Sequence, residues 1–248
     1  MPELWSRTSA LAILVLVSSL LGFSSRASAT ASISGPTGLL MIPTALTLRQ
    51  YEFDLAVDLW RVTDPAGNFT FTSMRGTVGV LPERDSGAEL GFLKPDAKAL
   101  GLTDAYVHGK YRIPGILPGG ALAVGGVFST NKSNYSSIYL VGSSAIAKSF
   151  ALHYGGGVNV YGDPYGWSWY GGRRSSGRAD PAFAMFGAEF DYRRFRFCAD
   201  YNGGFISYGI NFFPDSFFSL SAFKLGRGDF ERELGISHGF GVGATVRF

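Results

Sequence analysis

Gly239-Phe240-Gly241-Val242-Gly243-Ala244-Thr245-Val246-Arg247-Phe248 is the stretch whose reading decides the fold. Phe240, Val242, Ala244, Val246 and Phe248 fall on one side of an extended chain, and Gly239, Gly241, Gly243, Thr245 and Arg247 on the other. Side chains of a strand alternate between two faces, so strict alternation predicts a strand that is apolar on one face only. An apolar alternating strand that stops at a terminal Phe is the pattern carried by substrates of the outer-membrane barrel-assembly machinery. Phe240, Val242, Val246 and Phe248 are therefore the expected assembly signal.

Working back from this strand, the same texture extends to about Gln50. Short alternating segments are separated by turn residues, which is the pattern of a membrane-spanning barrel. Strands are expected at about 50–62, 69–81, 87–93, 104–113, 120–129, 137–147, 150–161, 182–192, 195–202, 205–213, 217–225 and 238–248. Their number is even, as single-chain bacterial barrels have. If the N-terminus is periplasmic, the periplasmic turns are Pro82–Ser86, Pro114–Gly119, Lys148-Ser149, Arg193-Arg194 and Pro214–Ser216. The external connections are Thr63–Asn68, Lys94–Thr103, Thr130–Ser136, Gly162–Pro181, Gly203-Gly204 and Gly226–Ser237, so every long connection falls on one side. The fold class predicted is all-β, a transmembrane antiparallel up-and-down barrel of about 12 strands, with a short N-terminal segment at the periplasmic mouth.

Composition agrees. Charged residues make up 17% of the chain against about 25% in an average soluble domain, while aromatics reach 15%. Beyond the first 29 residues no apolar run reaches the roughly 20 residues of a spanning helix, and a closed barrel is the other way to pair every backbone group in lipid. The single cysteine, Cys198, rules out an internal disulfide. A net charge of +3, with the bases scattered among acids of similar number, gives no basic patch for nucleic acid. Arg7, the apolar run Ala10–Phe23 and the small residues Ala27-Ser28-Ala29 predict a signal peptide over residues 1–29, cleaved after Ala29. Residues 30–49 then form an N-terminal periplasmic, plug-like segment and residues 50–248 an outer-membrane barrel.

Alternation also assigns the inner face. Glu52, Asp54, Asp58, Arg75, Glu89, Lys110, Arg112, Glu189, Asp191, Arg194, Arg196 and Arg247 share the face opposite the apolar one, as does His108. A charge at mid-depth on the lipid face costs about 2–4 kcal/mol, so these groups belong to the lumen. Acid-bearing and base-bearing strands adjoin, which predicts a ladder of cross-strand ion pairs, Glu189 and Asp191 facing Arg194 and Arg196 among them.

Ahead of the first strand lies Ser34-Gly-Pro-Thr-Gly-Leu-Leu-Met-Ile-Pro-Thr-Ala45. Pro36 and Pro43 each remove a ladder donor, so the stretch is a poor strand. Leu39, Leu40 and Ile42 are expected to pack beneath the periplasmic rim or to enter the lumen. Thr37, Gly38, Leu39, Pro43, Thr44 and Ala45 match a Thr-Gly-Leu-x-x-x-Pro-Thr-Ala element. In this the chain resembles the YjbH-like family of outer-membrane barrels, whose members are longer and are associated with exopolysaccharide production. The resemblance implies a structural or exopolysaccharide-export and assembly role in the envelope.

The Gly162–Pro181 loop carries Trp167, Trp169, Tyr170, Arg173, Arg174 and Arg178, a mixture suited to stacking sugars and binding phosphate or carboxylate. It suits equally a loop lying on lipopolysaccharide headgroups. Enzyme chemistry is not expected. His108 and His153 face inward by parity, Ser237 and His238 point to opposite faces, and neither a metal-ligand cluster nor a cofactor motif is present in the sequence. Two functional classes stay open: an envelope structural or export component, and a narrow porin-like channel for small polar solutes. The expected partners are outer-membrane lipid and lipopolysaccharide, the assembly machinery and polysaccharide.

Overall fold

The computed structural model describes residues 30–64, 67–82, 86–96, 103–115, 120–163, 168–171, 179–228 and 238–248. The predicted signal peptide, and Trp167, Arg173, Arg174 and Arg178 of the external loop, lie outside them.

The strands are β1 (Phe53–Asp64), β2 (Gly67–Gly79), β3 (Gly87–Asp96), β4 (Tyr106–Ile113), β5 (Gly120–Ser129) and β6 (Ser136–Ala147). They continue as β7 (Phe150–Val160), β8 (Ala182–Tyr192), β9 (Phe195–Tyr201), β10 (Phe205–Phe212), β11 (Phe218–Gly228) and β12 (His238–Arg247). Each pairs antiparallel with its chain neighbours, and β12 returns to β1 in a register running from Asp54↔Arg247 to Thr63↔His238. The twelve strands close into a barrel, which leaves no edge with unpaired backbone.

The alternation read from β12 holds in space. Phe240 is 58% exposed and Val242 54%, while Gly239, Gly241 and Gly243 face inward. Leu55, Val57 and Leu59 on β1, Phe186 and Phe190 on β8, and Phe197 on β9 continue the apolar wall around the outside. Monomeric soluble proteins rarely expose a contiguous apolar patch beyond a few hundred Å², and an encircling band of this kind requires lipid. The fold is a transmembrane β-barrel.

Several boundaries differ from expectation. Strand β1 begins at Phe53, because Tyr51 lies at φ 65 and the Glu52 amide turns back to the Arg49 carbonyl at 3.0 Å. The first external hairpin is tight: Asp64 pairs with Gly67, so the expected six-residue loop shrinks to positions 65–66. Strands β3 and β11 run on to Asp96 and Gly228, beyond the last residues that alternation marked. The longest connections, 97–105, 161–181 and 229–237, do open on one side, away from the end where β1 starts and β12 stops.

Candidate functional site

Inside the barrel the charged wall is paired, mostly between neighbouring strands. Arg247 on β12 forks onto Asp54 of β1, with Nε at 2.7 Å from Oδ1 and Nη2 at 2.9 Å from Oδ2. Arg75 on β2 pairs with Asp58, which also accepts from the Ser73 hydroxyl at 3.0 Å. Lys110 on β4 lies 3.2 Å from Glu89 on β3. Arg196 on β9 donates to Asp191 on β8 at 2.7 and 3.1 Å and lies 3.4 Å from Glu189. The expected ladder is thus formed by Asp54, Asp58, Arg75, Glu89, Lys110, Glu189, Asp191, Arg196 and Arg247, with Glu52 3.4 Å from Arg247. Arg194 is a correction. It occupies the two-residue turn between β8 and β9 and is exposed, because Arg193 at φ 55 makes the tight hairpin and parity leaves Arg196 alone to face the acids. Arg112, near the end of β4 away from the long connections, is half-buried.

The N-terminal segment occupies the lumen, deeper than a seat under the rim. Ser32, Ser34, Thr37, Leu39, Leu40, Met41, Ile42 and Ala45 are all at most 4% exposed. Its two prolines keep it from joining the sheet, so its backbone finds partners on the wall instead. The carboxylate Oδ2 of Asp200 on β9 accepts from the amides of Leu40, Met41 and Ile42 at 2.9, 2.7 and 3.3 Å. Glu89 accepts from the Thr37 amide at 2.8 Å, the Thr37 hydroxyl at 2.7 Å and the Leu48 amide at 3.3 Å. Lys110 donates to the carbonyls of Thr37 and Thr44 at 2.8 and 2.9 Å. On β6, the Ser143 hydroxyl oxygen accepts from the Ala45 amide at 2.8 Å and also lies 2.8 Å from His153 Nδ1. Apolar contacts fill the remainder, with Ile33, Leu39, Leu40, Met41 and Ile42 sharing one buried cluster with Tyr139, Val141 and Met185 of the wall. The fit is close: a Cβ on Gly187 of β8 would run into the Leu39 side chain, and Gly35, at φ 112, lies against the ring of His108.

From the other side part of the long external connection folds inward. Trp169 and Tyr170 are 1% and 0% exposed, so neither is presented to the exterior as a loop binding surface would need. Trp169 stacks edge-on against Trp60 and Tyr106, with centroids at 6.4 and 5.7 Å, and Tyr170 against Tyr139 at 5.8 Å. Asn202 donates to the Trp169 carbonyl at 3.1 Å and Asn159 to that of Tyr170 at 3.0 Å. The two inserts meet where the Ser34 and Tyr170 hydroxyls lie 2.9 Å apart.

Sequence reasoning missed Asp200, Ser143, Asn159 and Asn202. Parity does place Asp200 on the inner face with Arg196 and Cys198. What was not legible is that its partner is backbone from the other end of the chain.

Fold and site together define a class: a transmembrane β-barrel whose bore is occupied by its own N-terminal segment and an infolded loop. Among solved structures the chain is similar to the KdgM porin, at 7% identity and a TM-score of 0.50 over 79% of this chain and 99% of that one. The same values describe the KdgM porin in complex with disordered oligogalacturonate. Outer membrane phospholipase A from Escherichia coli follows at 9% identity and a TM-score of 0.48, over 79% and 93% of the two chains. At such an identity the likeness to the KdgM porin bears on the fold alone. No protein-family model matches the chain, and no curated protein matches it in sequence.

Proposed function

We propose that the chain is an outer-membrane, porin-like channel for small polar solutes, held shut at rest by residues 30–48 and delivered by a cleaved signal peptide. One observation carries the reading. The wall presents Asp200, Glu89 and Lys110 to the segment, and these charged side chains bind it through its backbone and are equally compatible with water once it withdraws. A barrel filled only for stability needs no such wall, since apolar side chains fill a bore without desolvating charge. The mixed sign of the wall suits small polar solutes without strong selection for anions or cations.

Planar-bilayer conductance of the refolded chain, with and without residues 33–48, tests this. The intact chain should show little or no steady current and the deletion should conduct. Large, stable openings from the intact chain would mean an open porin. Silence in both forms would leave a structural barrel. Location is tested separately: the mature chain should begin at Thr30 and fractionate with the outer membrane, and recovery in a soluble fraction would refute it.

A second reading, the exopolysaccharide-associated role of the YjbH-like barrels, is favoured by one feature. Thr37, Gly38, Leu39, Pro43, Thr44 and Ala45, the residues that carry that resemblance, are also the residues seated in the lumen. It expects secreted polysaccharide to fall when the gene is deleted and to return with the wild-type chain but not with the 33–48 deletion.

A further inference from the structure

Most described strand charges face the lumen and are paired there; Arg61, Lys94, Asp96 and Lys224 point outward instead, and of these Arg61 and Lys224 lie together. Arg61 on β1 continues the outward row Leu55, Val57, Leu59 and is exposed, and Lys224 on β11 continues the outward row Leu220, Ala222. Both lie towards the strand ends that open on the long connections. The register sets them at one level, since Phe240 of β12 is paired with Arg61 on one side and with Lys224 on the other. Lys224 Nζ lies 5.4 Å from the Phe240 ring centroid and 5.9 Å from that of Tyr208, and neither cation has a carboxylate partner among the described residues. Two strand spacings separate their Cα atoms, roughly 10 Å, within reach of two long side chains closing on one phosphate. Thr70, opposite Arg61 on β2 and exposed, adds a hydroxyl beside them. Between the two cations Phe240, and beyond it Val242, are exposed and offer an apolar track for acyl chains.

We propose that Arg61, Lys224 and Phe240 form a binding site on the outer wall, across the β11–β12–β1 seam, for a phosphate-bearing glycolipid of the outer leaflet. The assignment rests on the outer-membrane reading above. An unpaired cation on a lipid-facing wall is unfavourable, least so near the interface, and a lipid phosphate at that depth supplies the missing counter-charge. Phosphate accepts a guanidinium fork and an ammonium together, while the two rings hold the ammonium in place.

Native mass spectrometry of the full chain, folded in detergent, with bis-phosphorylated lipid A as probe, tests the site. The wild type should retain the lipid, and Arg61→Gln with Lys224→Gln should weaken half-saturation at least tenfold. Arg61→Lys with Lys224→Arg should stay within about threefold, and Lys94→Gln, removing an outward lysine that already donates to the Thr103 carbonyl, should change nothing. Should the double glutamine variant fail to fold, judged by heat-modifiable migration, Arg61→Gln alone carries the comparison. Equal retention by the glutamine variant, equal retention of phosphate-free lipid A, or displacement by inorganic pyrophosphate at matched concentration would overturn the proposal, the last by assigning the site to a soluble anion. A chain that fractionates away from the outer membrane would refute the location and leave this measurement in detergent standing by itself.

Discussion

Asp200 and Glu189 represent the two tasks a buried acid performs in this lumen. Asp200 holds three amides of the N-terminal segment on one oxygen, and each charge-assisted bond contributes about 1.5–3 kcal/mol. Asp200→Ala should therefore loosen the segment without touching the strand ladder. The expected result is transient openings in bilayer recordings at least tenfold more frequent than in the wild type, with heat-modifiable folding retained. Glu189 holds wall to wall: it lies 3.4 Å from Arg196, and the two side chains are each 6% exposed. Breaking a buried pair from one side costs about 3–5 kcal/mol because the remaining charge is left uncompensated. Glu189→Lys should destabilise the barrel by that order, and adding Arg196→Glu should recover part of it. Urea unfolding across the double-mutant cycle checks this, and strictly additive effects would show that the two side chains are uncoupled.

At the scale of the element, β12 has two separable duties. It closes the barrel through a register of ten residue pairs with β1, and it leads into Phe248, whose backbone exchanges hydrogen bonds of 2.9 and 3.1 Å with Phe53. The Phe248 side chain is 69% exposed and contributes little to packing. Deleting Phe248 removes only this terminal exchange, so the closed barrel, once formed, should lose about 1–3 kcal/mol. If the alternating strand with its terminal Phe is read during assembly, the same deletion should nonetheless leave the chain unfolded and proteolysed in the periplasm. Refolding in vitro at near-normal yield, together with loss of heat-modifiable barrel in cells, is the expected combination. Normal cellular levels would count decisively against Phe248 as the signal. The N-terminal segment behaves differently as an element, being built from turns, with bridges Ala31↔Thr37 and Gly38↔Pro43 and a Leu39 amide donating back to the Ile42 carbonyl at 3.0 Å. Six backbone hydrogen bonds tie it to itself, and the amides of Thr37, Leu40, Met41, Ile42, Ala45 and Leu48 take their partners from the wall.

For the whole molecule, closure and filling are distinct. Ring closure rests on backbone pairing between every pair of neighbouring strands, and filling rests on the segment and on Trp169 and Tyr170. Removing residues 33–48 should leave a folded barrel that still migrates heat-modifiably, with a lower unfolding temperature than the full chain. A deletion variant that fails to fold even in detergent would mean that the segment is core rather than occupant, and the channel reading would fall with it. The contact between Ser34 and Tyr170 ties the two inserts to each other. Tyr170→Phe removes that link alone, and the channel reading expects it to leave both inserts in place and the current near the wild-type level.

The strands, their number, the sidedness of the long connections and the inward set from Asp54 to Arg247 were all legible in the sequence. They follow from period-two alternation and turn chemistry, which act over a few residues and need no knowledge of distant chain. Neighbouring-strand ion pairs were legible for the same reason, because a hairpin fixes which residues oppose one another; Arg194 escaped because its turn consumed it. What fills the bore was decided by tertiary structure alone. Asp200 meets Leu40, Met41 and Ile42 across 158 to 160 residues of chain, and Tyr170 meets Ser34 across 136. Such contacts exist only after twelve strands have curled into a ring of fixed width. A segment with two prolines announces that it will not join a sheet, but where it goes depends on a cavity that no local stretch of sequence describes. The same holds for Trp169 and Tyr170, whose aromatic character fits an exposed loop and a packed lumen equally well until the barrel offers them an interior.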